Sequence, residues 1–106
     1  MKTSKRKRLE AAGWRVGSAA EFLALDAVES ALVELKVALG RRLRRRRAER
    51  GLTQAEAARR IGSSQSRVAK MEAADASVSI DLLVRSLLAL GANARELERE
   101  ISRAER

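Results

Sequence analysis

The chain has 106 residues and a net charge of +9, and it contains neither cysteine nor histidine. A chain of this length is typical of one domain with a modest core. Because cysteine and histidine are missing, disulfides and cysteine-ligated metal sites are excluded, and the commonest general base and metal ligand are absent. We therefore expect no metal and no cofactor.

The positive charge is concentrated in two stretches of the chain. Residues 1–8 contain five basic residues and no acidic one, and residues 41–70 contain eleven basic residues and two acidic ones. Clustering of this kind indicates a surface that contacts phosphates. No stretch approaches the ~18 consecutive apolar residues of a transmembrane helix, and the N-terminus lacks the apolar core of a signal peptide. We expect a cytoplasmic protein with no membrane partner.

Residues 1–17 are predicted to be a basic tail followed by a short linker. The basic run 1–8 is either a solubilising tail or a contact for nucleic acid or a partner protein. Trp14 lies in the linker, between two glycines. A single tryptophan in a small domain is more often a core anchor than a binding residue, and both roles stay open at this point.

Residues 18–38 are predicted to be an N-terminal helical extension. Ser18 and Glu21 have the spacing of a capping box, which marks the start of a helix. The pattern predicts a short helix from there to about residue 24, and this helix presents Phe22.

A second, longer helix is predicted from Asp26, which with Glu29 repeats the capping spacing, to about residue 50. Apolar residues recur in it every three or four positions and form one stripe. The members of this stripe are Val28, Leu32, Leu35, Leu39 and Leu43. The stripe is longer than a small helical domain needs, so it binds a second copy or another protein, or packs against the chain's own N-terminal helix.

Two short helices separated by a glycine are predicted in residues 52–72, LTQAEAARRIGSSQSRVAKME. Thr53 and Glu56 form a capping box that begins the first helix. Gly62 is the residue type that ends a helix in a left-handed conformation, and the two serines that follow it offer a cap for the second helix.

The second of these helices, residues 65–73, has two different faces at 100° per residue. Val68, Met71 and Glu72 fall on a side suited to packing. The opposite side carries short, polar or basic side chains, which are those of Gln65, Ser66, Ala69, Lys70 and Ala73. This arrangement is typical of a helix-turn-helix unit, whose second helix enters the DNA major groove.

Two further helices are predicted after this unit. Ser79 caps a helix that ends at Gly91, and Asn93 with Glu96 begins the last helix, where Leu97 belongs to a narrow apolar stripe. These capping signals, the absence of proline and the absence of an alternating strand pattern predict an all-α fold.

Residues 39–90 resemble the Cro/phage-repressor (Xre-type) helix-turn-helix family. The resemblance lies in the run LTQxExAxxIGxSxSxVxKxE and in the apolar helix after it, which ends in Leu90 and Gly91. It implies a lambda-repressor-like five-helix domain, here residues 39–106, that binds double-stranded DNA. The whole chain, including GWRVGSAAEFL, is also similar to small Xre-type regulators that act as HigA-like antitoxins, which implies a toxin protein as partner.

The resemblance also implies roles for single residues. Gln65, Ser66 and Lys70 match the positions with which the family reads bases. A glutamine can address adenine with two hydrogen bonds, and a lysine can reach guanine O6 and N7. The candidates for phosphate binding are Gln54, Ser64, Arg67, Arg44, Arg59 and Arg60. For Gln65, Lys70 and the arginines, the alternative is a solvated surface with no DNA contact.

One arginine of the basic run at residues 41–47 is expected to point inward. Arg47 continues the stripe of Leu39 and Leu43. In the resembled family an arginine at this position pairs with the glutamate that ends the recognition helix, which is Glu72 in this sequence. We therefore expect an Arg47–Glu72 ion pair that joins the two helices.

These observations favour a DNA-binding repressor over an enzyme. The carboxylates are expected on solvated helix faces or in caps, and no histidine or cysteine is present to activate a serine or to act as a nucleophile. No glycine-rich phosphate loop of the required form is present. The two aromatic residues are too few for stacking on single-stranded nucleic acid.

We expect a homodimer on a palindromic operator, with two recognition helices about one helical turn apart, ~34 Å. A toxin partner is expected to contact residues of the first forty positions, among them Trp14, Phe22, Val28 and Leu32. The alternative is a protein-interaction module that neutralises a toxin or serves as a scaffold and binds nucleic acid without sequence preference.

Overall fold

The computed structural model describes residues 19–104 of the chain. Within this part, the side chains of residues 19–23 and of Leu25 are not described. Predictions that fall on the basic tail, on Trp14 or on the Phe22 side chain lie outside the described residues and stay predictions.

The described residues form five helices and no strand, so the predicted all-α fold is confirmed. The helices are α1 (Ala19–Glu49), α2 (Gln54–Ile61), α3 (Gln65–Glu72), α4 (Ile80–Ala89) and α5 (Ala94–Ala104). The chain divides into two units, Met1–Ser30 and Ala31–Arg106, and the packing described below is that of the second unit. No helix in residues 19–104 is both long enough and apolar enough to cross a bilayer.

Helix α1 is continuous where two helices were predicted. It runs through Asp26 without a break, so the predicted helix end near residue 24 and the predicted helix start at Asp26 are wrong. Residues 24–29 contain neither glycine nor proline. The spacing of Asp26 and Glu29 favours a helix start, but it does not prevent a helix from continuing on its N-terminal side.

The apolar stripe of α1 has two parts with different surroundings. Leu39 and Leu43 are fully buried, whereas Val28 and Leu32 are 66% and 44% exposed. Only the C-terminal part of the stripe therefore belongs to the core. The other buried apolar residues of this core are Ala57, Ala58, Val68, Met71, Val78, Leu83, Leu87, Leu90, Ala92 and Leu97.

Helices α4 and α5 begin at the predicted caps. The Oγ of Ser79 accepts a hydrogen bond from the backbone N–H of Leu82 at 3.0 Å, and the Oδ1 of Asn93 accepts one from the N–H of Glu96 at 2.9 Å. These bonds satisfy N–H groups that the first turn of a helix leaves without a partner. The carboxylate of Glu96 does not complete a capping box, because it bonds to arginines of α1.

Arginines of α1 pair with two buried carboxylates of α5. Glu96 accepts a hydrogen bond from Arg42 at 2.9 Å and lies 3.2 Å from Arg46, and Glu100 lies 3.1 Å from Arg45. Burial alone lowers the pKa of Arg42, but the hydrogen bond and the charge of Glu96 outweigh burial and raise it. The expectation of solvated or capping carboxylates is thus wrong for Glu96 and Glu100. They can be buried because each lies opposite an arginine.

Gly40 allows α1 to pack closely against the end of α3. A Cβ atom at this position would lie 2.6 Å from the carbonyl oxygen of Met71 and 3.3 Å from that of Glu72. The first distance is far shorter than a van der Waals contact, so any side chain here would push the two helices apart. The close approach explains a glycine in the middle of a long helix.

We predict that Gly40→Ala lowers the free energy of unfolding by about 1–3 kcal/mol, the usual range for inserting an atom into a packed site. Helix propensity alone predicts the opposite sign, a gain of roughly 0.5–1 kcal/mol. Urea denaturation measures the difference. As the control, Ala31→Gly at an exposed position of α1 should show the ordinary propensity loss of about 0.5–1 kcal/mol. A Gly40→Ala protein that is more stable than the wild type would contradict the close contact.

Candidate nucleic-acid interface

Helix α2 begins at the predicted capping box. The Oγ1 of Thr53 accepts a hydrogen bond from the N–H of Glu56 at 3.1 Å, and the Oε1 of Glu56 accepts one from the N–H of Thr53 at 3.0 Å. The hydrogen bonds with Thr53 are the main reason why the pKa of Glu56 is lowered, and the charges of nearby arginines add to this. The box makes Gln54 the first residue of α2.

The turn between α2 and α3 has the geometry that the glycine predicted. Gly62 adopts φ 79° and ψ 37°, and its N–H donates to the carbonyl of Ala58 at 2.9 Å. Of the two serines that follow, Ser64 is the cap of α3, because its Oγ accepts a hydrogen bond from the N–H of Arg67 at 3.2 Å. The Oγ of Ser64 also lies 3.3 Å from the Oγ of Ser66, and either hydroxyl can donate in this bond. When Ser66 donates, the hydroxyl hydrogen of Ser64 is available to an outside acceptor.

Helix α3 has the two faces that the sequence predicted. Val68 and Met71 are fully buried, and the Oγ of Ser86 donates to the Met71 sulfur at 3.2 Å inside the core. The residues expected to read bases, Gln65, Ser66 and Lys70, are all exposed. We call these three residues the reading face.

The ion pair expected between Arg47 and Glu72 is present. The Nε of Arg47 donates to Oε2 of Glu72 at 2.6 Å, and Nη2 donates to Oε1 at 3.0 Å. A third bond runs from Nη1 to the carbonyl of Leu52 at 3.0 Å. The hydrogen bond to Glu72 is the largest influence on the pKa of Arg47 and raises it. Arg47 thereby joins α1, the residues before α2, and the end of α3.

A chain of hydrogen bonds connects this ion pair to the reading face. The Nε2 of Gln54 donates to Oε1 of Glu72 at 3.2 Å, and the Oε1 of Gln54 accepts from Nε2 of Gln65 at 2.7 Å. Because a carboxylate can only accept, the nitrogen of Gln54 faces Glu72 and its oxygen faces Gln65. Gln65 is left with its oxygen and one N–H without a partner in residues 19–104. Gln54 likewise keeps one N–H without a partner among these residues.

The phosphate candidates do not all lie together. Arg44 lines a groove on one side of α3 with Gln54, and Arg67 lines a groove on the other side with Lys70. These two grooves flank α3 on either side. Arg59 and Arg60 are exposed in the last turn of α2 and line neither groove.

Sequence reasoning missed two residues near the reading face. Ser77 lines the same groove as Lys70 and Arg67. Asp75, two positions earlier, accepts a hydrogen bond from the N–H of Ser77 at 3.0 Å and another from its hydroxyl. These bonds to Ser77 are the main cause of the lowered pKa of Asp75, and the charges of Lys70 and Lys36 contribute. The sequence predicts residues 73–78 as a loop, and an aspartate two residues before a serine is a turn signal that could have singled out this pair.

Comparison with known proteins identifies the family. A family model described as a helix-turn-helix domain matches residues 38–100. This chain belongs to that helix-turn-helix family. The match includes α2, α3 and α4 completely, and it supports DNA as the partner of this protein. Proteins of this kind typically bind DNA and are not enzymes.

No curated protein and no solved structure gives a significant match to the chain. Within residues 19–104 no group of three or more acidic side chains is arranged to hold a metal ion.

We predict that Glu72→Ala lowers the free energy of unfolding by about 3 kcal/mol, because it leaves Arg47 largely buried without its counter-charge. The side chains of Arg47 and Glu72 are only 18% and 6% exposed, so water cannot fully replace the lost carboxylate. Chemical denaturation measures the change. The matched control is Glu98→Ala, an exposed glutamate of α5, which should change stability by less than about 0.5 kcal/mol. Equal losses in the two variants would show that the pair contributes no more than a surface charge.

Proposed function

We propose that this helix-turn-helix protein is a sequence-specific transcriptional repressor that reads the major groove with α3. The observation that carries the proposal is the hydrogen-bond chain from Arg47 through Glu72 and Gln54 to Gln65. A side chain held in one orientation before binding loses less conformational freedom when it meets a base. A solvated surface glutamine does not need such a chain, so the arrangement favours a reading role for Gln65.

The reading face has the chemistry for two kinds of base. The free oxygen and N–H of Gln65 can pair with N6 and N7 of adenine, and Lys70 can donate to O6 and N7 of guanine. Ser66 is short and can donate to or accept from either. Discrimination by contacts of this kind typically amounts to ~1–3 kcal/mol for each base reader.

Phosphate contacts would hold the reading face in register. At the start of α2, Gln54 retains one N–H for a phosphate oxygen. At the start of α3, Ser64 can donate its hydroxyl to a phosphate when Ser66 is the donor of the bond between the two serines. Arg44 and Arg67 flank α3 on its two sides and add positive charge there. Arg59 and Arg60, which lie apart from both grooves, are assigned at most a contribution to the general electrostatic attraction of DNA.

The proposed binding unit is a homodimer on a palindromic operator in the cytoplasm. Two copies of α3 would enter successive major grooves about one helical turn apart, ~34 Å. Residues 39–106 would form the DNA-binding domain, residues 18–38 an extension for dimer or partner contact, and residues 1–17 the tail and linker.

A second proposal concerns a toxin partner, as expected for an antitoxin that represses its own operon. It is supported by Val28 and Leu32, two large apolar side chains that are 66% and 44% exposed. Exposed apolar residues next to each other on a helix are typical of a protein-binding surface. Trp14 and Phe22 are proposed to extend this surface.

The repressor proposal predicts a strong preference for one sequence. Fluorescence anisotropy would compare the DNA upstream of the protein's own gene with a shuffled duplex, across ~50 to 200 mM salt. We expect a preference of ~10³-fold or more for the upstream DNA. Gln65→Ala and Lys70→Ala should each reduce that preference about ten- to a hundredfold.

The matched control for Lys70→Ala is Arg99→Ala, which removes one positive charge from an exposed position of α5. Its preference should equal that of the wild type. Steep salt dependence on both duplexes with no preference would leave phosphate binding alone. In that case the protein-interaction module is the correct description and the repressor proposal is wrong.

The toxin proposal predicts that the product of a neighbouring gene co-purifies with this protein when both are expressed together. Leu32→Glu should abolish co-purification, because it places a charge in an apolar contact. Leu88→Glu is the matched control, since Leu88 is 48% exposed on a different helix. It should retain the partner. If no neighbouring gene product co-purifies with the wild type, the toxin proposal is wrong.

A further inference from the structure

A groove with an apolar floor runs between α1 and the end of α5. Its floor is formed by Val33, Val37, Ala38 and Ala104, and its rim carries charged side chains. The rim residues are Glu34, Arg41, Arg45, Glu100 and Arg103. All of these residues belong to the unit Ala31–Arg106. The groove takes no part in the reading face or in the hydrogen-bond chain behind it.

Two charges of the rim have no opposite charge beside them among the described residues. Glu100 is only 8% exposed and lies 3.1 Å from both Arg45 and Arg103, so one carboxylate is shared by two arginines and this cluster keeps one positive charge. Glu34 and Arg41 are exposed, and among residues 19–104 neither forms an ion pair. Outside that cluster, the groove presents the negative charge of Glu34 and the positive charge of Arg41, with apolar side chains between them.

The spacing of these charges is symmetric about the centre of the apolar floor. The centre lies midway between Val37 and Ala38. Along the helix axis, Glu34 lies about 5 Å before this midpoint and Arg41 lies about 5 Å after it. A two-fold axis through that midpoint would place Glu34 against the partner subunit's Arg41. The same pair would form a second time by symmetry, because a two-fold interface brings the same patch of both subunits together.

We infer that this groove is the surface through which two copies of the chain associate, with their α1 helices antiparallel. Opposite charges at the ends and apolar residues in the middle make the surface complementary to itself. An unrelated partner would need to supply the reversed charge order, whereas a second copy already has it. The contact leaves Leu32 free, because Leu32 lies on nearly the opposite side of α1 at 100° per residue.

This inference rests on the proposed dimeric DNA binding and gives it a geometry. Gly40 contacts α3 and lies about a quarter turn around α1 from the face that carries Val37 and Ala38. Arg44 lies in nearly the same direction as Gly40. In an antiparallel pair the two-fold axis is perpendicular both to the helices and to the direction of contact. Both copies of α3 therefore lie on the same side of the pair, as two recognition helices on one duplex require.

Charge reversal tests the contact in the absence of DNA. Sedimentation velocity should find the wild type as a dimer, and Glu34→Arg and Arg41→Glu should each raise the dimer dissociation constant about tenfold or more, since each creates two like-charge contacts. An equimolar mixture of the two variants should form a heterodimer, because one contact then pairs arginine at position 34 with glutamate at position 41 and the other contact keeps native Arg41 opposite native Glu34. The double variant should also dimerise. Recovery in the mixture cannot be explained by misfolding of either variant.

The matched controls are Glu98→Arg and Arg95→Glu, the same reversals at exposed positions of α5 that do not line the groove. They should dimerise like the wild type. A monomeric wild type, unchanged dimerisation of Glu34→Arg, or a mixture that stays monomeric would each overturn the inference.

Operator preference is measured on the same samples. Preference without dimerisation through the groove would refute only this surface, and dimerisation without preference would refute only the proposed function.

Discussion

The contact between α1 and the C-terminal end of α3 is the constraint on which the DNA-facing part of this protein depends. An eight-residue helix is not stable in water by itself, so α3 must be held by its neighbours. Gly40 lets the backbone of α1 approach the last carbonyls of α3, and Arg47 binds Glu72 at the same place. Glu72 then holds Gln54, and Gln54 holds Gln65. The orientation of Gln65, an exposed side chain of the reading face, thus begins at a helix-packing contact.

The arginines of α1 are divided among different tasks, although the sequence presents them as one basic run. Arg42, Arg45 and Arg46 pair with buried or nearly buried carboxylates of α5, and Arg47 pairs with Glu72. These charges are largely neutralised within the protein, so they add little to the attraction of phosphates. Arg41 and Arg44 are the members of the run that form no ion pair within residues 19–104, and Arg44 lies beside the groove next to α3. Counting the basic residues in the sequence therefore overestimates the positive charge that is available to nucleic acid.

Predictions from the sequence succeeded where the interaction is local. Hydrogen bonds at Thr53, Ser64 and Ser79 join residues three positions apart, and such spacings can be recognised without knowing the fold. The same reasoning failed at Asp26, because a capping spacing is also compatible with the middle of a helix. It failed again at Glu96. The backbone of Glu96 takes part in the expected cap, but its carboxylate accepts a hydrogen bond from Arg42, fifty-four positions earlier in the chain.

The sequence by itself determined the helical class, the helix-turn-helix unit, the inward face of α3 and, with the family resemblance, the Arg47–Glu72 pair. Periodicity and residue type suffice for these features because each depends on short spacings or on one repeated motif. Only the tertiary structure decided which arginines stay free, why Gly40 is needed, and that Gln54 connects Glu72 with Gln65. These outcomes depend on which helix faces meet. Side chains eleven to fifty-five positions apart become partners only when the packing of the helices brings them within hydrogen-bond distance.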